Sequence, residues 1–239
     1  ALSDGRDRQV QITGFRGALS TTASLDQMTI SDEAGVWLTL ENAELIWNRS
    51  AILSRRIEIT TLVAERLILH RAPLAQDVAP EAEPSPFQLP ELPISVEIAE
   101  LRIDQLDLDA SLLGEAASLR LEGQASLAAG AGDWRLQLDR IDDKAGTFAV
   151  SGAYANETGA LELALSLTEA ADGIAARLMS LPGTPSLEFS IAGVGTLSNF
   201  PAALELSTDG QQRMVGSIAL TEVQDTSRRI EMDVSGDIT

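Results

Sequence analysis

The feature that most constrains this chain is a strict two-residue alternation of apolar and polar side chains. It is clearest at residues 161–167, which read LELALSL, and shorter stretches of the same period recur from residue 10 to residue 234. Successive side chains of a β-strand point to opposite faces, so the alternation collects the apolar ones on one face. The pattern predicts an all-β chain with a continuous apolar face, although leucine and alanine favour helices by propensity.

Two interpretations of that apolar face are open from the sequence. In an ordinary sandwich, two sheets bury their apolar faces against each other. In an open groove, the face holds acyl chains, which need aliphatic volume and no directional contacts. The chain is 44% apolar but only 4% aromatic, a composition that suits acyl chains better than bases or sugars.

The charge of the chain excludes one class of partner. With 17 basic and 36 acidic residues, the formal net charge is -19. Nucleic-acid binding depends on Lys and Arg side chains that neutralise phosphates, so we expect no nucleic-acid partner. Five arginines of the first part of the chain are interpreted as strand-end and turn residues, with anionic lipid head groups as the alternative. They are Arg49, Arg55, Arg56, Arg66 and Arg71.

Residue types for catalysis or metal binding are scarce. The chain has no cysteine, a single histidine (His70), and no serine in the pattern G-x-S-x-G. Asp104, Asp107 and Asp109 alternate with leucines and lack the loop spacing of an EF-hand, so we interpret them as a solvated strand face. We therefore expect a protein that is not an enzyme, with no catalytic residue, metal or cofactor.

Proline divides the chain into two parts. Six of the nine prolines fall at residues 73–93, a stretch that is also acidic. This composition predicts an extended linker or surface loop. It separates an N-terminal β unit, residues 1–72, from a second β unit, residues 94–239, in which we expect the groove.

Short helices are expected at two places within this β pattern. Asp172 can cap a helix over residues 173–181, where Ile174 and Leu178 begin an apolar stripe before a Pro-Gly stop. A weaker signal predicts a turn of helix at residues 47–53.

The alternation also changes phase along residues 94–108. Apolar residues stand at even positions up to Ile98, at odd positions from Leu101, and at even positions again from Leu106. An offset of one residue reverses the two faces of a strand, so bulges or short turns are expected here.

A loose repeat of an apolar residue, any residue and glycine occurs at residues 121–123, 150–152, 191–193 and 234–236. Glycine inside a strand marks a bulge, a sharp coil or the close approach of another group. The spacing of the repeat favours an elongated array of β-hairpins.

The first third of the chain carries motifs of a known family. Residues 32–38 fit D-x-x-G-x-W-L, a strand with Trp47 follows, residues 53–56 form a leucine–small–x–Arg turn, and residues 71–73 read R-x-P. This order resembles the N-terminal part of the TamB family, in the AsmA-like group of Gram-negative envelope proteins. A short helix followed by G-x-G-x-L at residues 193–197 resembles a later part of the same family.

The resemblance implies a fold that the composition alone does not show. It implies an elongated, curled (taco-like), mostly antiparallel β-sheet with an open hydrophobic groove and one or two short helices. The groove lining is then expected at the apolar strand positions. These are Leu38, Leu40, Ile57, Ile59, Leu67, Leu69, Ile94, Val96, Ile98, Leu106, Leu108, Leu119, Leu121, Leu136, Leu138, Phe148, Val150, Leu161, Leu163, Leu165, Leu167, Leu187, Phe189, Ile191, Leu204, Leu206, Ile218, Leu220, Ile230, Met232 and Val234.

The resemblance also implies a function and a location. It implies a periplasmic, bridge-like carrier that passes phospholipid between inner and outer membrane, anchored in the inner membrane by an N-terminal helix that precedes this chain. The alternative is a scaffold in outer-membrane protein assembly that pairs strands with its clients. Contact with TamA or another Omp85 protein would then involve a C-terminal region that follows this chain.

Overall fold

The computed structural model describes residues 2–3, 9–17, 20–74, 87–223 and 227–236. The strands within them are β1 (Leu2–Ser3), β2 (Gln9–Thr13), β3 (Thr22–Asp32), β4 (Gly35–Asn48), β5 (Arg56–Leu69), β6 (Ser95–Leu108), β7 (Ala117–Ala128), β8 (Ala131–Arg140), β9 (Gly146–Ala155), β10 (Ala160–Glu169), β11 (Leu187–Thr196), β12 (Asn199–Thr208), β13 (Gln211–Val223) and β14 (Ser227–Gly236). The helices are a 3-10 helix (Arg49–Ser54), α1 (Ala110–Leu113) and α2 (Ile174–Leu178).

The described strands form one sheet in which the spatial order equals the chain order, from β1 to β14. The first and last strands are not neighbours, so the sheet is unclosed, and the pairings with a defined register are antiparallel. The predictions of an all-β chain and of an unclosed, mostly antiparallel sheet with short helices are confirmed. Because the described strands form a single sheet, the sandwich interpretation is wrong for this part of the chain.

The chain divides into two compact units, described separately below. Unit 1 takes its described residues from Ala1–Ala82, Val96–Gln124 and Leu138–Asp143, and unit 2 takes its described residues from Glu83–Ser95, Ala125–Gln137 and Lys144–Thr239. This division does not follow the proline-rich stretch, because β5 and β6 on its two sides are neighbouring strands. The stretch at residues 73–93 is therefore a connection between adjacent strands, and its residues 75–86 lie outside the described part of the chain.

Unit 1 packs around four buried apolar side chains on three successive strands: Ala43 on β4, Ala64 on β5, and Ile103 and Leu106 on β6. Ala43 and Ala64 oppose each other across the β4–β5 pair. Their small side chains leave room for larger neighbours, which are Leu25, Leu40, Leu67, Leu69, Leu108, Leu119, Leu121 and Leu138.

The strand β4 changes its apolar phase at Asn42. Leu40, before it, and Ala43, after it, both pack in the core of unit 1, although one residue number is even and the other odd. Asn42 has a φ of 49°, and its Nδ2 donates to the Glu65 carboxylate at 2.6 Å. A residue in the left-handed region resets the pleat, and asparagine tolerates this conformation better than most residues. The apolar set thus stays on one side of the strand.

The two phase changes predicted in residues 94–108 fall within β6. This strand runs without interruption from Ser95 to Leu108. Ile98 and Leu101 are half-buried and Ile103 and Leu106 are buried. The offsets are therefore absorbed inside one strand, and no turn separates them.

The two predicted helical segments both contain a short helix. The 3-10 helix Arg49–Ser54 overlaps the turn predicted at residues 47–53, and α2 lies within residues 173–181 but has only five residues. The predicted apolar stripe of α2 is wrong. Ala176 is its buried residue, whereas Leu178 is 64% exposed, because a helix of little more than one turn presents no continuous stripe.

The predicted cap of α2 is also wrong. Asp172 stands outside the helix, whose N-cap is Gly173 and has no side-chain hydrogen bond. The Glu169 carboxylate, from the end of β10, instead accepts hydrogen bonds from the backbone N–H groups of Ile174 at 2.6 Å and Ala175 at 2.8 Å. A strand residue therefore satisfies the free donors of the helix N-terminus.

Candidate functional site

Six adjacent strands, β9 to β14, build one apolar surface in unit 2. The cross-strand register sets three rows of six positions, and no position in them carries a polar side chain. We call these rows the apolar face of unit 2. From β9 to β14 they are Gly152, Leu163, Gly193, Ala202, Ile218 and Met232; Val150, Leu165, Ile191, Leu204, Gly216 and Val234; and Phe148, Leu167, Phe189, Leu206, Met214 and Gly236.

The apolar face of unit 2 is only partly covered. The four leucines of residues 161–167 are half-buried, while the side chains between them are exposed. Met232 on β14 is 63% exposed, and Ile230, just beyond the three rows on the same strand, is 68% exposed, whereas Leu204 and Leu206 on β12 are buried. Apolar surface that stays accessible in this way is typical of an interaction or ligand site.

Two aromatic rings lie over glycines of this face. A Cβ on Gly152 would lie 2.5 Å from Trp134 Cζ2, and a Cβ on Gly193 would lie 2.7 Å from Phe200 Cζ. Any larger residue at these two positions would displace a ring. At these two positions the glycine of the repeat marks the close approach of an aromatic ring to the strand, one of the three features that a glycine inside a strand indicates.

One end of the apolar face of unit 2 is covered by residues 87–91, which we call the 87–91 segment. Leu89 N donates to Asn156 Oδ1 and Asn156 Nδ2 donates to Leu89 O, both at 2.8 Å. The Tyr154 hydroxyl donates to the Phe87 carbonyl at 3.2 Å, and the two rings meet edge to face with centroids 5.2 Å apart. Tyr154 occupies the alternate β9 position next after the three rows and is 5% exposed.

The other end of the face carries Leu187 on β11, which is 1% exposed. It opposes Glu169 on β10, the residue whose carboxylate fastens α2. Helix α2 is thus attached at the sheet end. Leu187 and its buried neighbours on β12 serve packing in this conformation, although the alternation marked them as lining.

The predicted lining residues of unit 1 also converge. Leu38 opposes Leu69 and Leu40 opposes Leu67 on neighbouring strands, and Leu106, Leu108, Leu119, Leu121 and Leu138 belong to the same core. Ile59 opposes Trp47 beyond a register shift, and Ile57 lies on the same strand. Val96 and Ile98 lie on β6. Ile94, one residue before this strand, belongs to unit 2.

Several core residues of unit 1 were not predicted: Leu25, Ala43, Ala64 and Ile103. Ala43 and Ala64 are small, and Ile103 is out of phase with the leucines that follow it. The asparagine in β4 was the available signal, because a turn-forming residue inside an alternating strand indicates a phase change.

Part of the opposite face of unit 2 carries short side chains. Two shallow cavities of about 470 and 310 Å³ open on it. Ala149, Ser151, Ala164, Ser166 and Ala192 line the smaller one, and these residues alternate with those of the apolar face. The sequence pattern did not predict these cavities.

Two of the family-like motifs meet in unit 1. Arg71, from R-x-P, binds the Asp32 carboxylate of D-x-x-G-x-W-L through both terminal nitrogens, and Arg71 Nη2 also donates to Gly35 O at 2.7 Å. The Asp32 carboxylate also accepts the backbone N–H groups of Ala34 and Leu74, each at 2.9 Å. The Arg71 guanidinium, followed by the Leu74 N–H, holds the pKa of Asp32 well below its usual range.

The same motif region contains the single histidine. His70 is exposed, as expected for a strand-end residue. Its Nε2 lies 3.0 Å from the hydroxyl of buried Thr39. The nearby Trp37 Nε1 is buried without a hydrogen-bond partner among the described residues.

Of the three aspartates interpreted as a solvated strand face, Asp104 and Asp109 are exposed and Asp107 is half-buried, so the interpretation is wrong for Asp107. Asp104 is exposed, but Asp107 accepts hydrogen bonds from Arg66 Nε at 2.6 Å and from the Ser118 hydroxyl at 2.5 Å. Burial would raise the pKa of Asp107, yet these hydrogen bonds, together with that from a glutamine amide, lower it. Asp109 caps α1 by accepting the Ser111 N–H at 2.9 Å.

Three of the five arginines singled out in the sequence have acidic partners within unit 1. Arg56 pairs with Glu58 at 2.9 Å, Arg66 pairs with Asp107, and Arg71 pairs with Asp32. Such pairing favours their interpretation as structural residues over contact with lipid head groups.

Within the described residues, no group of three or more His, Cys, Asp or Glu side chains is placed to hold a metal ion. None of the described helices has the length and apolar content that crossing a membrane requires. Fold and site together define an all-β protein whose single unclosed sheet carries an apolar face across six strands. No protein-family model, curated protein or solved structure matches this chain.

Proposed function

We propose that the apolar face of unit 2 holds phospholipid acyl chains, and that the protein is a periplasmic, bridge-like carrier of phospholipid between inner and outer membrane. The observation that carries the proposal is the register, which aligns three rows of six positions without one polar side chain. The compartment and the two membranes rest on the resemblance of residues 32–73 to the TamB family.

The size of the face fits an acyl chain. Six strands at a spacing of about 4.8 Å span about 24 Å. The acyl chains of one leaflet occupy roughly 15 Å, half of a bilayer core of about 30 Å. Each methylene that leaves water gains about 0.8 kcal/mol without any directional contact. A surface of Leu, Ile, Val, Phe and Met therefore suffices, and no conserved polar anchor is needed.

Lipid that co-purifies with the protein tests this proposal directly. Native mass spectrometry of the purified chain should detect bound phospholipid, and lipid extraction should identify its class. A scaffold that pairs strands with client proteins would instead purify without acyl lipid, and that result would contradict the carrier proposal.

A pair of adjacent arginine substitutions identifies the face that binds. Leu163→Arg places a charge in the first of the three rows, and we expect bound lipid to fall by about tenfold or more, because an acyl chain cannot pair with the charge. The fold should survive, since Leu163 is half-buried and the long arginine side chain can reach water.

Ala164→Arg is the matched control, because Ala164 is exposed on the opposite face of the same strand. Lipid binding should be unchanged in this variant, with circular dichroism showing both variants folded. Loss of binding in Ala164→Arg with retention in Leu163→Arg would move the site to the opposite face and overturn the proposal.

A further inference from the structure

The 87–91 segment lies over a fourth row of the apolar face of unit 2. Tyr154 opposes Leu161 on β10, which in turn opposes Gly195 on β11. Phe87 packs on the Tyr154 ring, and Leu89 Cδ1 lies 3.4 Å from the position a Cβ on Gly132 would take. The segment therefore covers the Tyr154 end of a row that continues the three rows.

The hydrogen bonds that hold the 87–91 segment are made to its backbone groups. The Asn156 amide bonds both the N–H and the C=O of Leu89, so it substitutes for the peptide group of a neighbouring strand. Pro90 follows Leu89 and restricts it to an extended conformation. The Tyr154 hydroxyl adds a bond to a second carbonyl, that of Phe87.

The attachment is small for the surface it covers. Phe87 is 53% exposed and Leu89 is only half-buried. In the described part of the chain, residues 87–92 belong to no strand. Among the described residues, the contacts of the 87–91 segment with Tyr154 and Asn156 are three hydrogen bonds and one ring contact. A ligand that covers the same apolar surface can compete with it.

We propose that the 87–91 segment is an internal stop that competes with acyl chains for the Tyr154 end of the apolar face. It occupies this end when the face is empty and leaves it when an acyl chain extends over Leu161 and Tyr154. The segment would then set how far lipid advances along the face. This inference rests on the proposed function, since it assumes an acyl ligand.

The test compares binding of a fluorescent long-chain fatty acid to the parent chain and to Asn156→Ala. Removing both hydrogen bonds to Leu89 frees the competing segment, so the variant should bind the probe about three- to tenfold more tightly. Asn199→Ala, at an exposed asparagine that opens β12, should bind like the parent. Equal or weaker binding by Asn156→Ala would overturn the inference.

Hydrogen exchange at the Leu89 amide gives an independent readout. This amide should be protected in the parent and should lose protection when the probe saturates the protein. Continued protection at saturation would show that probe and segment bind together, which contradicts competition. Tyr154→Phe removes only the bond to Phe87 and should show a smaller change in the same direction, which keeps the test decisive if Asn156→Ala folds poorly.

The two proposals fail in different ways. If neither the parent nor any variant binds the probe, the acyl-chain function itself is wrong. If the parent and Asn156→Ala bind equally well, only the internal stop is wrong.

Discussion

Asp32 accepts hydrogen bonds from the Arg71 guanidinium and from two backbone N–H groups, although Asp32 and Arg71 lie 39 residues apart in sequence. The bonds tie the turn before β4 to the end of β5. Charge-assisted, two-pronged contacts of this kind are stronger than neutral hydrogen bonds. The pair thus accounts physically for the Asp and Arg of two motifs that first looked separate.

This pair predicts an acid-sensitive stability. The pKa of Asp32 is lowered in the folded state. The stability that its ionised carboxylate contributes is therefore present above the unfolded pKa of about 3.9 and is lost as the pH falls towards the folded pKa. Asp32→Asn should therefore be less stable than the parent at neutral pH and should lose less stability in acid. Urea unfolding between neutral pH and about pH 3 measures both.

Asp104→Asn serves as the control, because Asp104 is exposed on β6. Its acid dependence should match that of the parent. An unchanged slope in Asp32→Asn would show that the Asp32–Arg71 pair does not link folding to protonation.

For single residues, the sequence indicated which side chains belong to a motif but not which contacts they make. The motif residues Asp32 and Arg71 could be recognised, but their pairing needs strands β4 and β5 side by side. The contact of Asn156 with Leu89 joins segments that are 67 residues apart in the sequence. Tertiary contacts of this kind leave no periodic trace in a single sequence.

Strands were predicted where a single two-residue apolar period continues over many residues. The strand β10 alternates without error, and its leucines share one face as expected. Helix α2 failed because it is too short for a helical period and takes its cap from Glu169 on a strand. A cap supplied from outside the local sequence cannot be found by searching for a capping residue before the helix.

The attachment of α2 predicts a stability change at Glu169. Glu169→Ala leaves two backbone donors of the helix without their acceptor and should lower the free energy of unfolding by about 1–3 kcal/mol. Glu169→Gln keeps one amide oxygen as acceptor and should cost less. Urea titrations of both variants measure this order, and equal stability of Glu169→Ala and the parent would contradict the proposed attachment.

In the sheet of the described residues, the strands stand in the order in which they occur in the chain. Each described strand lies beside the strand before it and the strand after it in the chain. Stability in such an arrangement is approximately a sum over neighbouring pairs, as in repeat proteins. Chain order in the sheet was foreseeable from closely spaced hairpins, whereas the phase shared by six strands was not, because each turn could have reversed the next strand.

If stability is a sum over neighbouring strand pairs, the sheet should stay folded when strands are removed from its C-terminal end. A chain that ends at Thr208 lacks β13 and β14 but keeps the pairs β9–β10, β10–β11 and β11–β12. Its β9–β11 amides should stay protected in hydrogen exchange, and its urea m-value should fall with the lost surface. Loss of protection throughout β9–β11 would show that the sheet folds only as a whole.

The chain-ordered sheet also has a mechanical meaning. A pull on the two chain ends would load the hydrogen bonds of the outermost strands first, one pair after another, in the manner of a zipper. Strands that are sheared past each other resist with all their bonds together, and this arrangement avoids that load. The molecule should extend under small forces hairpin by hairpin, while the strands not yet reached keep their register.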